Sequence, residues 1–158
     1  GSADLDHSFG STEGLSLGVG VDGFYDQSFS TRRLGAGVDL AVRAGGLSAI
    51  AEGRFQRIEP IADADLELPD VWTETDRLGA LVQVGYSIGS WEPVVRFSTF
   101  DDARSAEDYG DVANLMGGAV WHHGGDTVRL GCGYVKRLER YGPKVTNDSA
   151  RIWLQTRL

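Results

Sequence analysis

The sequence predicts an all-β fold, an eight-stranded antiparallel up-and-down transmembrane β-barrel, on three observations. Apolar and polar residues alternate with a period of two through eight segments of roughly 9–12 residues, the length a tilted strand needs to cross a bilayer. The connections between those segments alternate between long and short. Glycine makes up 22 of 158 residues, about twice the usual share, and falls inside nearly every segment, where it would destabilise a helix.

The first segment places Leu15, Leu17, Val19 and Val21 on one face and Ser16, Gly18, Gly20 and Asp22 on the other. The second repeats this division with Leu34, Ala36, Val38, Leu40 and Val42 against Gly35, Gly37, Asp39, Ala41 and Arg43, and the fourth with Leu78, Ala80, Val82, Val84 and Tyr86 against Gly79, Leu81, Gln83, Gly85 and Ser87. Weaker alternation runs through Leu47 to Gln56, Trp91 to Phe100, Ala113 to His122, Val128 to Arg137 and Ala150 to Leu158. Helices fail for these stretches because residues at i and i+2 lie on opposite sides of a helix.

Between the segments, the connections Asp26 to Arg32, Arg57 to Asp76, Asp101 to Asp111 and Glu139 to Asp148 are long. Those at Ala44-Gly45-Gly46, Gly89-Ser90 and His123-Gly124-Gly125-Asp126 are tight. Long and short connections thus fall at opposite ends of a meander, as external loops and periplasmic turns do in outer-membrane barrels. The expected division of the chain is a flexible lead over 1–13, opening on the Gly1-Ser2 scar of a removed tag, and a barrel over 14–158.

Composition narrows the functional classes. Fifteen Lys and Arg against 23 Asp and Glu leave a net charge of −8, which argues against a nucleic-acid groove. One cysteine excludes an intramolecular disulfide or a cysteine-based metal cluster. No run of about 18 apolar residues exists, so no transmembrane helix is expected.

The alternation serves two architectures of opposite polarity: a lipid-embedded barrel with the apolar face outward, and a soluble lipocalin-like barrel with it inward. Lipid outside is favoured by an aromatic girdle of Tyr86, Trp91 and Trp121 near the short turns, with Tyr25, Phe55 and Tyr134 available for the opposite girdle. It is favoured also by glycines on the polar face, which a narrow interior needs and a water-facing surface does not. The inner face then carries a lumen polar network of Asp39, Glu52, Arg54, Arg96 and Arg129 near mid-height, with Arg43, Glu92, Arg151 and Arg157 as candidate pore-lining residues.

The stretch Ala80-Leu-Val-Gln-Val-Gly-Tyr-Ser-Ile-Gly-Ser-Trp-Glu-Pro-Val-Val-Arg-Phe-Ser-Thr-Phe-Asp-Asp102 resembles the late part of phosphate-selective porins of the polyphosphate/phosphate porin type, where a similar strand leads through a short turn into Glu-Pro-Val-Val-Arg. The likeness extends from about Asp76 to Leu158, and more diffusely back to Leu15. It implies an outer-membrane barrel of sixteen strands that trimerises and passes anions along a ladder of basic residues. This chain supplies about half those strands, as a small relative or a porin half. Its terminal alternation, Ile152, Leu154, Thr156 and Leu158, ends in Leu where outer-membrane proteins usually end in an aromatic residue.

Other chemistry has weaker support. His122 and His123 point to opposite faces of a strand and cannot easily share a metal. The acidic run Asp63, Asp65, Glu67, Asp70, Glu74 and Asp76, with Asp101, Asp102, Glu107 and Asp108, reads as solvated loop. The expectation is a non-enzymatic barrel of the Gram-negative outer membrane, structural or forming a narrow pore, with no cofactor and no metal. Its expected partners are the bilayer, lipopolysaccharide and, during biogenesis, the barrel-assembly machinery. Two alternatives are a passive anion or small-solute porin lined by Arg43, Arg54, Arg96, Arg129 and Arg157, and a lipid-modifying enzyme using His122.

Overall fold

The structure, a computed structural model, describes residues 2–12, 14–28, 31–61, 74–103, 111–123, 128–139 and 147–156, with only the backbone of 2–12. These form one antiparallel meander of nine strands: β1 (Ser2–Thr12), β2 (Leu15–Gln27), β3 (Thr31–Ala44), β4 (Leu47–Pro60), β5 (Thr75–Tyr86), β6 (Trp91–Asp101), β7 (Val112–His123), β8 (Val128–Glu139) and β9 (Ser149–Thr156). Each strand pairs only with its chain neighbours, and β1 and β9 form the edges of an unclosed sheet.

The eight expected strands are β2 to β9. The segment expected as a flexible lead is instead β1, paired with β2 from Ser2↔Phe24 to Thr12↔Leu15 with a register shift between Phe9 and Thr12. The first long connection also contracts, because β2 runs on to Gln27 and β3 begins at Thr31; polar residues such as Asp26 and Arg33 pair across the ladder there.

Register holds without a slip from β2 to β9, so the alternation of one strand continues onto the same face of the next. The tight turns make this possible. Gly45 takes a positive φ of 57° in the two-residue β3–β4 link, and Gly89 one of 59° between β5 and β6, a conformation that costs glycine little. The Gly45 amide also donates to the Gly14 carbonyl at 3.0 Å, tying two turns together at the same sheet end.

The two faces differ in enclosure. Val21, Val38, Val82, Val95, Tyr86, Trp91, Ile152 and Leu154, all on the apolar face, are more than half exposed. The buried positions fall mostly on the other face: Gly20, Gly35, Gly37, Gly85, Val94, Gly131 and Val135. The chain exposes 11313 Å², against about 7,700 Å² for a compact monomer of 17.0 kDa. As an open meander, the sheet leaves the large side chains of its apolar face uncovered.

Candidate functional site

The chemistry of the described residues is concentrated on the polar face, where two cross-strand clusters are built on glycines. In the first, Asp22 on β2, Gly37 on β3 and Arg54 on β4 lie directly opposite one another. With no side chain at position 37, the Asp22 carboxylate fills that space and Arg54 Nη2 reaches Asp22 Oδ2 at 3.7 Å.

The second cluster joins β4, β6 and β7. Ser48 Oγ donates to Glu92 Oε1 at 2.6 Å, and His122 Nε2 lies 3.0 Å from Glu92 Oε2. Glu92 and His122 are only 18% and 20% exposed, so this pair is better shielded than Asp22–Arg54, whose arginine is 70% exposed. Both Ser48 and His122 bond to the same carboxylate. The serine thus addresses the acid rather than the imidazole, an order unlike that of a Ser-His-acid triad, and the cluster reads as a clamp across three strands.

Aromatic side chains use glycine in the same way. Phe24 lies over Gly35, Phe100 contacts the space above Gly79 at 3.7 Å, and Trp153 lies over Gly131. Each pair is directly cross-strand, so the ring covers backbone that glycine leaves bare.

The expected polar network is only partly assembled. Asp39 and Glu52 sit directly opposite each other, two like charges, and among the described residues neither forms an ion pair with Arg54 or Arg96. Like charges so placed repel, and both side chains stay exposed to solvent. Arg54 turns to Asp22 instead. Arg96 sits midway along β6 and is exposed. Arg129 is not at mid-height: it is the second residue of β8, opposite His122 near the short turns.

Of the candidate pore-lining residues, Glu92 is engaged as described, Arg43 pairs in register with Ser16 and Ser48, and Arg151 with Gly133. Arg157 lies outside the described residues. In the girdle, Trp91 and Trp121 are direct cross-strand partners, Tyr86 faces Leu47, and His123 stacks on Trp121 with centroids 5.2 Å apart. The two adjacent histidines thus lie on opposite faces.

At the long-connection end the Arg57 guanidinium pairs with Asp76 at 2.8 Å and Glu74 at 3.0 Å. The remaining acidic positions Asp63, Asp65, Glu67, Asp70, Glu107 and Asp108 lie outside the described residues. Among those described, no group of three or more His, Cys, Asp or Glu is placed to hold a metal.

Sequence reasoning missed Ser48, and it passed over Phe24 and Phe100, which break the polar phase of β2 and β6. Phe24 precedes Tyr25, so one of two adjacent aromatics had to face inward. No family model, no curated protein and no solved structure matches the chain.

Proposed function

We propose that the chain forms the wall of a β-barrel in a bacterial outer membrane, non-enzymatic, with lipid and lipopolysaccharide against its apolar face and a polar passage for small solutes against the other. One observation carries this reading: large apolar side chains are exposed on one face of the sheet, while glycines and charges share the other, more enclosed face. Burying that apolar face in hydrocarbon removes it from water at about 25 cal/mol per Å². The aligned Trp91 and Trp121 fit a headgroup-level belt. Unpaired backbone at β1 and β9 is costly in hydrocarbon, so in a bilayer the sheet must close on itself or on further strands. The barrel-assembly machinery would be its partner during insertion.

A passage is supported by the charges Asp39, Glu52, Arg54 and Arg96, which among the described residues form no ion pairs with one another and so make no single ion-paired plug. The resemblance to phosphate-selective porins agrees with an anion path, in which Arg43, Arg54 and Arg96 would be the basic residues. The test is detergent dependence with heat-modifiable gel mobility. A folded, monodisperse protein in plain buffer would overturn the lipid-facing assignment.

A further inference from the structure

Toward the long-connection end, the polar face holds a cavity of about 370 Å³ lined by Asp22, Phe24, Arg54, Gln56, Arg77 and Phe100. That volume lies at the lower end of small-molecule sites, about 300–1,000 Å³. Its walls follow from the aromatic–glycine pairs. Phe24 leans over Gly35 on β3 and Phe100 packs beside Gly79 on β5, leaving Arg54 and Gln56 of β4 between them. The slot so made spans two strand spacings, about 10 Å between the β3 and β5 backbones.

Its charge is unbalanced. Among the charged side chains that line it, Asp22 is matched by Arg54, which leaves Arg77 as the remaining charge of the lining. The Arg77 Nε is buried with no hydrogen-bond partner among the described residues. A buried charged donor left unsatisfied is costly, and an anionic acceptor would satisfy it. We propose that this slot binds a small monoanion with an apolar body, an aromatic carboxylate by class, its carboxylate on Arg77 and its ring between Phe24 and Phe100. The proposal goes beyond the barrel reading and does not require that lipid meet the other face.

The experiment is isothermal titration of the full chain in detergent micelles with benzoate, and separately with inorganic phosphate and benzyl alcohol. Benzoate should bind, and Arg77→Gln should weaken it at least about tenfold, the equivalent of one charge-assisted hydrogen bond. Gly79→Leu, which fills the slot without touching a charge, should abolish binding while circular dichroism shows the sheet intact. Phosphate binding as tight as benzoate would reduce the site to general anion attraction and overturn the proposal. So would absence of benzoate binding, equal uptake of benzyl alcohol, or benzoate affinity unchanged in either variant.

Discussion

Ser48 and Glu92 meet although a whole strand separates theirs: Ser48 Oγ donates to Glu92 Oε1 at 2.6 Å across β5. The contact exists because residue 85, which pairs with Ser48, is glycine; a Cβ there would lie 2.5 Å from Glu92 Oε1 and 2.7 Å from Ser48 Oγ. Next-nearest strands are thereby linked through their side chains as well as through the ladder.

Gly85→Ala should therefore destabilise the fold by about 1–3 kcal/mol through overpacking. Adding Glu92→Ala removes the obstructed carboxylate, so the double variant should lose less than the sum of the two single losses. Urea unfolding in bilayers, followed by tryptophan fluorescence, measures all three. Strict additivity would mean that the clamp does not form.

Val38 stands in the middle of the apolar stripe of β3 and is 53% exposed. If lipid covers it, Val38→Arg should cost about 2–4 kcal/mol, the penalty for arginine at the bilayer midplane. Ser98→Arg, on the polar face opposite Leu81 and Asn114, should be close to neutral. Equal effects at the two sites, in the same unfolding assay, would remove the distinction between a lipid face and a water face.

The tryptophans report depth. In a chain with Trp72→Phe and Trp153→Phe, the remaining Trp91 and Trp121 should be quenched more by lipids brominated near the headgroup than by lipids brominated near the chain ends. Stronger quenching from the chain ends would place this row at the bilayer centre and dissolve the girdle.

Arg96 and Arg54 differ in pairing, Arg54 being held by Asp22. Arg96→Ala should shift the zero-current potential of planar bilayers under a salt gradient toward cation preference, and Arg54→Ala, which leaves the Asp22 carboxylate uncompensated, should shift it in the same direction. An unchanged potential in Arg96→Ala would exclude this residue from the conducting path.

The eight strands β2 to β9 were legible because their two-residue period survives from turn to turn, and glycines inside the segments ruled out helices. β1 was misread: Ala3, Leu5 and Phe9 alternate with Asp4, Asp6 and Ser8, but with only two large apolar residues the pattern is weak. It is the backbone pairing with β2, Leu5 opposite Val21 and Phe9 opposite Leu17, that shows it as a strand. The mid-height network was misread because strand phase says which face a side chain occupies and not which neighbour it meets. Asp39 and Glu52 share a face and a row, and their like charges keep them from being a pair.

The sequence by itself determined the faces of the sheet, since a side chain's side follows from its parity along a strand. It determined as well the order of long and short connections and the place of the aromatic row. Only the tertiary structure decided which residues meet across strands. That choice depends on register and on where glycine leaves space between alternate strands, as at Gly37 beneath Asp22 and Arg54 and at Gly85 between Ser48 and Glu92. A glycine written in one strand acts on the side chains of two others, and that relation has no local trace in the chain.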